Sequence, residues 1–513
     1  MTAAPVRSAP EARSGLEAWG RAALPAPTAS RGLGLLGVIG PGAIILGLSI
    51  GSGEWLLGPA VFVKYGLSLL WVTTVAVFLQ TIFNEELIRY TLYTGEPAVI
   101  GFMRTRPGAA FWGVLYALFY FLQWGWPAWA ANAASALFFA SRGRLVGPDD
   151  DAALFWVGAA TYLVCVAALI VGRRIERTLE ILNWFMILVL LAGLALLCLY
   201  FADAHRWAAG LAGFAGFDLE SRSFSFLPPG GDWFLIAAFA AYSGAGGVAH
   251  LTLSNWARDK GFGMGQVVGF IPAAVGGAKV KLAHTGSVFE VTPESLRQWK
   301  SWWRIVRLDQ WGVFFVGALI GMGLPALLYT ALLPAGRDIR GPAIAAELAG
   351  AVATRSGATL AFFVALMGAW ALFKTQLDNI EGMTRSLTDM VWTGSRRLRA
   401  WRGGDVRLVY YPILATGVVG GLIALRMTPP MILLLLSANM AGVVFVVASL
   451  HILYLNCTLL PRELRPPLWR RLALVALALF YGSFVYLWLM GGLVPDLEKG
   501  FLFNIPRYLH TGG

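Results

Sequence analysis

Long apolar stretches alternate with short polar segments along almost the whole chain, and each is near the twenty or so residues that a helix needs to cross a bilayer. They fall near residues 35–65, 68–92, 110–140, 152–172, 179–202, 232–256, 311–334, 357–390, 408–426, 431–456 and 472–493. The pattern predicts an all-α, polytopic membrane protein of about eleven transmembrane helices, because a chain in lipid must satisfy its backbone within each segment. Residues 1–31 hold Pro5, Pro10, Pro25 and Pro27 among scattered Arg and Ser. With no apolar core of the signal-peptide kind, they read as a disordered cytoplasmic tail. The longest polar interruption, 257–310, is too long for a simple connection and reads as a cytoplasmic insert. In it, Lys279 to Val291 alternates around Thr285-Gly286 like a hairpin, and Thr292-Pro293-Glu294 has the cap, proline and early acid of a helix start. That helix gathers Leu296, Trp299, Trp303 and Val306 on one face, with Arg297, Lys300, Arg304 and Arg307 supplying charge. The pattern fits a helix lying in the headgroup region and equally one packed on the mouth of the bundle.

Composition narrows the function. The chain is 58% hydrophobic and 13% charged, about half the charge share of an average soluble domain. Its 40 Lys and Arg against 28 Asp and Glu would suggest a nucleic-acid partner in a soluble protein, but here they cluster between apolar spans. Arg173, Arg174 and Arg177, then Arg396, Arg397, Arg399 and Arg402, then Arg462, Arg465, Arg470 and Arg471 all fall on one side of the membrane. Placing that side in the cytoplasm puts the N-terminus inside and the C-terminus outside, in a cell inner membrane. Three cysteines fit neither a disulfide framework nor a metal site. The glycines at 261, 263, 265 and 269 lack the Lys-Ser/Thr ending of a phosphate loop, and no His or Cys pair has catalytic-metal spacing. No enzyme activity, cofactor, nucleic acid or obligate protein partner is expected; the partners are the lipid bilayer and a small transported cation or solute.

Two spans are interrupted by small residues. Gly47, Ser49, Gly51, Ser52 and Gly53 crowd the first, with Glu54 directly after, and Ser243-Gly244-Ala245-Gly246-Gly247 occupies the sixth, with His250 three residues on. Both read as unwound breaks. Interrupted spans at corresponding places in two five-helix halves point to an inverted-repeat transporter with its substrate at the midplane. The halves would be 32–203 and 232–456, followed by a last span at 472–493.

The run Gly40-Pro41-Gly42 through Ile50-Gly51-Ser52-Gly53-Glu54-Trp55 to Tyr65-Gly66 and Leu69-Leu70-Trp71 resembles the opening of the Nramp divalent-metal transporters. Weaker likeness continues through Thr94-Gly95 and Leu433 to Ser437. The resemblance implies a LeuT-like five-plus-five inverted repeat and transport by alternating access. It also implies that the family's metal-binding Asp is replaced by Gly51, its Asn by Glu54 and its Met by Val248, while the family His aligns with His250 and a second family His with Asn255. Two ligands that grip a transition metal are thus absent, and the third span, Ala110 to Ala140, holds no Asp or Glu. The expected substrate is a divalent cation with relaxed, Mg2+-like selectivity; a small organic solute and a non-transporting sensor are the alternatives.

The expected substrate-binding residues are therefore Gly51, Ser52, Glu54, Gly247, Val248 and His250, with Glu54 and His250 as metal ligands. An acid at the bilayer midplane is expensive, so Glu54 is either an oxygen ligand or a paired or protonated buried acid. His250 admits a ligand role, a proton-accepting role and a purely structural one. In the eighth span Lys374 and Asp378 lie one turn apart, as do Glu381 and Arg385. Lys374 and Asp378, with Asn255, are the candidate coupling or pathway residues; Lys374 could stand as a fixed cation where sodium would otherwise bind, or simply neutralise Asp378. Asn84, Glu85, Glu86 and Arg89 suggest a buried ionic cluster of structural role, with Glu85 spaced to reach Arg89.

Overall fold

The computed structural model describes residues 15–27, 40–170, 175–228, 230–270, 282–339, 341, 343–400, 405–427 and 430–493. Among them, ten helices are long and apolar enough to cross a membrane. The main elements are α1 (Pro41–Tyr65), α2 (Leu70–Thr94), α3 (Ala109–Trp124), α4 (Ala128–Arg142), α5 (Asp151–Ile170) and α6 (Ile175–Phe201) in the first half. The second half holds α7 (Trp233–Tyr242), α8 (Gly247–Asp259), α9 (Pro293–Leu332), α10 (Ala358–Gly394), α11 (Arg407–Met427) and α12 (Pro430–Thr458), with α13 (Leu468–Leu493) last. The third apolar stretch is divided between α3 and α4, because Pro127 has no N–H to continue the ladder after Gly125. The third stretch is thus two helices of 16 and 15 residues, and the other ten stretches match the ten membrane-length helices.

Burial sorts the helices into centre and rim. The apolar windows of α1 and of α7 with α8 are wholly buried. By contrast α5, α6 and α13 leave Trp156, Leu188, Leu196, Leu199 and Leu479 largely exposed, the apolar belt of a bundle that faces lipid. α10 is 37 residues long, which at 1.5 Å per residue is about 55 Å. It packs against α1, α4, α5 and α11 and carries its polar residues into the centre.

Two expectations need correcting, and one choice is resolved. The first span does not unwind: α1 runs through a five-residue π-helical turn, Gly53–Leu57, whose Trp55 carbonyl receives the Tyr329 hydroxyl at 3.4 Å. Its glycines serve close packing instead. A β-carbon at Gly47 would overlap Asn183 of α6, one at Gly51 would overlap Thr375 of α10, and one at Gly58 would sit 2.7 Å from the Met322 sulfur. Of the two readings of the amphipathic helix the packed one holds: Trp299, Trp302, Ile305 and Val306 are buried, and Pro293–Arg307 continues through a π-helical stretch, Leu308–Phe315, into the seventh span. Its start is as the sequence indicates: Thr292 accepts from the Ser295 N–H at 3.2 Å. Finally, Ser287–Val288 does not fold back in a hairpin but pairs in parallel with Gly20–Arg21; residues 279–281 of that expected hairpin lie outside the described residues.

The tail read as disordered over 1–31 is therefore docked in its described part, 15–27. Leu16 and Leu24 are buried, and the Trp302 indole donates to the Pro25 carbonyl at 2.8 Å. Glu96, just past α2, accepts from the Trp19 indole (3.0 Å), the Tyr90 hydroxyl (2.7 Å), the Arg104 guanidinium (2.8 Å) and the Gly286 N–H (2.8 Å). Glu96 so joins tail, insert and bundle. Burial pushes its pKa up, but Arg104 and the hydrogen bonds outweigh that and hold it below the usual carboxylate value. A depressed pKa stabilises docking above the free carboxylate range near ~4.3, and this stability is lost as pH falls through the folded pKa. Glu96→Gln removes the charge from the acceptor that Trp19, Arg104 and Gly286 share, so docking of 15–27 should weaken by roughly 1.5–3 kcal/mol. The variant at pH 7 should show the protease-sensitive tail that the wild type shows only in acid; equal protection of both at pH 7 contradicts this role.

Candidate functional site

The sixth-span break is real. α7 ends at Tyr242, Gly244 and Gly246 take φ of +97° and +79°, and α8 starts at Gly247; only glycine enters that region cheaply. The backbone groups released there are taken up by two glutamines. Gln80 of α2 donates to the Ser243 carbonyl at 2.8 Å and to the Tyr481 hydroxyl at 2.5 Å. Gln123 of α3 accepts the Val248 N–H at 2.9 Å and donates to the Gly246 carbonyl at 3.4 Å. Tyr242 and Ser437 share a 2.6 Å hydroxyl contact, and Ser437 also donates to the Gln123 carbonyl.

The π turn of α1 meets this break directly, since a β-carbon at Gly53 would overlap the Tyr242 carbonyl. Glu54 follows on the same turn. It is fully buried, and among the described residues neither carboxylate oxygen has a hydrogen-bond partner. Its Cγ would lie 3.8 Å from a β-carbon at Gly321 of α9. Ser49, one turn back, sends its hydroxyl to the Leu46 carbonyl at 2.9 Å instead.

His250, on α8, is also fully buried. Its ring lies 5.1 to 5.9 Å from those of Phe445, Phe83 and Phe314. Nδ1 contacts Asn84 Oδ1 at 2.5 Å, while Nε2 has no partner among the described residues. Asn84 donates to Gln310 Oε1 (2.8 Å), Gln310 donates to Asp309 Oδ2 (2.7 Å), and Asp309 accepts the Gly40 and Gly42 N–H groups at 3.1 and 2.7 Å. The first turn of α1 is thus capped by a carboxylate from α9.

The remaining expected site residues serve packing or ion pairing. Gly51 faces Thr375 and the Ala371 carbonyl of α10, 2.6 Å from where a β-carbon would be, so it is a packing position. The Ser52 side chain lies outside the described residues. Gly247 presses on Gln123 and Ala441, and Val248 is buried behind its bond to Gln123. Lys374 and Asp378 form a wholly buried ion pair at the junction of α1, α6 and α10. Asn183 reaches Asp378 at 3.5 Å, and Thr375 donates to the Leu48 carbonyl at 3.3 Å. Asn255 donates to Asp389 at 2.6 Å. It belongs to a second buried network in which Arg258 binds Asp259 and Asp389 at 2.7 Å each, and Arg385 binds Glu381 and Asp259. Glu85 does not pair with Arg89: it binds Arg470 at 2.5 Å, while Arg89 binds Glu86 at 2.8 Å. Gln80, Asp309 and Gln310 join the site without a sequence signal beyond their polarity. No group of three His, Cys, Asp or Glu able to hold a metal occurs among the described residues.

The arrangement can be compared with known proteins. No family model matches the sequence. No curated protein matches it either. Solved structures do: a histidine-to-alanine mutant of the Eremococcus coleocola manganese transporter superposes with a TM-score of 0.63 at 14% identity over 94% of both chains. A glutamate-to-glutamine mutant of the same transporter gives 0.63 at 14% identity, again over 94% of each chain. Its complex with an aromatic bis-isothiourea substituted compound gives 0.59 at 14% identity over 92% of this chain and 91% of that one. The likeness shows that the chain shares the fold of that transporter, the all-α polytopic fold that the sequence resemblance implies.

Proposed function

We propose that the protein is a secondary transporter that moves a small divalent cation across an inner membrane by alternating access, and that Glu54 is its principal ligand. The observation that carries this reading is the Glu54 carboxylate, fully buried where α1 meets the sixth-span break and without a partner for either oxygen. A group of that kind is held in a protein interior at high cost unless a positive charge joins it. The fold shared with a manganese transporter supports the same class. His250 Nε2, also without a partner, is the second ligand, and backbone carbonyls and water would complete an oxygen-rich shell. Basic residues clustered between spans support the N-terminus inside and the C-terminus outside.

Val248 carries no thioether, and a site of one carboxylate and one imidazole suits hard cations at least as well as soft ones. In proteoliposomes, Mg2+ should therefore compete with Mn2+ uptake at comparable concentrations, and a folded Val248→Met protein should shift towards Mn2+ and Cd2+. Strong wild-type selection against Mg2+ contradicts the proposed site. The want of a three-ligand group among the described residues favours one rival, a small organic cation. The same panel separates the two: organic cations that displace Mn2+ while Mg2+ does not would establish the rival.

A further inference from the structure

We infer that Asp309 is a positioning residue, which sets the direction of the hydrogen bonds through Gln310 and Asn84 so that His250 carries its proton on Nδ1 and presents the Nε2 lone pair. The inference rests on the reading of Glu54 and His250 as a cation site and adds to it the group that prepares the imidazole.

The direction follows from the donors and acceptors. The Gly40 and Gly42 N–H groups can only donate, and both point at Asp309, so each carboxylate oxygen is an acceptor. Gln310 must then offer Nε2 to Oδ2, at 2.7 Å, which turns its Oε1 towards Asn84. Asn84 must in turn offer Nδ2 to that oxygen, at 2.8 Å, which leaves its Oδ1 facing His250. The ring can meet an acceptor only with an N–H, so Nδ1 holds the proton in the 2.5 Å contact and Nε2 is left as an acceptor. Reversing Gln310 would set its oxygen against the Asp309 carboxylate, and reversing Asn84 would set its oxygen against Gln310 Oε1. Asn84, Gln310, Asp309 and His250 are all fully buried, so water does not repair a reversed link.

The chain is satisfied at every atom except its last. Asp309, Gln310 and Asn84 leave no side-chain polar atom unpaired, whereas His250 Nε2 has no partner. A tautomer fixed from one ring nitrogen so that the other is a free base is the arrangement by which second-shell groups prepare histidine as a metal ligand. The far end of the chain caps α1, the helix that bears Glu54, so one carboxylate orders the imidazole and anchors the helix of the acidic ligand.

The test is the nitrogen NMR spectrum of the full-length protein in lipid, labelled with 15N-histidine. His250→Asn identifies the His250 signals among those of five histidines. The wild type without metal should show a single tautomer, protonated at Nδ1 and bare at Nε2. In Asp309→Asn, and independently in Gln310→Leu, the second tautomer should appear and Mn2+ binding should weaken by about tenfold. A wild-type His250 protonated at Nε2, or an unchanged tautomer in either folded variant, overturns the inference. The expected tautomers together with His250 signals that Mn2+ fails to broaden would uphold the positioning role and refute the cation site itself.

Discussion

Saturable cation uptake should fall to the leak rate when Glu54 is replaced by glutamine, while the protein folds as well as before. Glutamine keeps the shape of the side chain and removes only its charge. In the empty site neither oxygen has a partner, so the exchange takes no interaction from the fold. In the loaded site the loss is large. Two unit charges about 4 Å apart at an effective dielectric constant near 20 attract by ~4 kcal/mol, which is about three powers of ten in affinity. A divalent ion loses more. The measurements are initial uptake rates of Mn2+ and Mg2+ in sealed vesicles, with thermal unfolding of the purified variant beside them. A midpoint equal to or above the wild type together with lost uptake is the expected pair; saturable uptake by a folded Glu54→Gln protein contradicts the site.

Replacing Lys374 should destabilise the bundle more than any other single change at the junction of α1, α6 and α10. Lys374 and Asp378 are both fully buried and pair one turn apart on α10. Removing one partner of such a pair leaves an uncompensated charge, at a cost of roughly 3–5 kcal/mol. Lys374→Met should unfold at markedly lower temperature, and adding Asp378→Leu should recover most of the loss, because a buried pair exchanged for apolar groups is often neutral. The pairing adds a second expectation. Asp378 places a buried carboxylate directly on the lysine ammonium. With the ammonium gone, sodium can take its place, so Lys374→Met should be stabilised by Na+ while the wild type is indifferent to it. The same indifference should hold for wild-type transport, which needs no sodium if Lys374 is the resident cation. An absolute sodium requirement in the wild type, or a Lys374→Met protein as stable as its parent without sodium, contradicts this role.

The helices and the second interruption were legible in the sequence because their causes are local. Apolar runs set α1 to α13, Pro127 divides the third span, and Gly244, Gly246 and Gly247, just after Ser243, concentrate positive φ where no helix survives. The first interruption was misread because glycine has two uses in a membrane helix. Gly47 and Gly51 are four residues apart and so share a face, and that face packs on Asn183 and Thr375. The small-xxx-small spacing was the available sign that these glycines bring helices together rather than unwind one. Glu54 and His250 stood out as polar groups beside glycine-rich segments. What positions them did not, because Asp309 and Gln310 look like the polar end of the insert until α9 is seen to continue through them, and Asn84 looked like part of the ionic cluster around Glu86. Partners 226 to 269 residues apart leave no periodicity to read.

The most direct test of the cation site is the anomalous scattering of Mn2+ in crystals of the full-length protein grown with that ion. The account predicts one strong peak in the membrane-embedded centre, at the Glu54 carboxylate where the π turn of α1 meets the sixth-span break, and its loss in Glu54→Gln. A peak elsewhere in the bundle, or none beside Glu54 under conditions in which the wild type transports Mn2+, would contradict it.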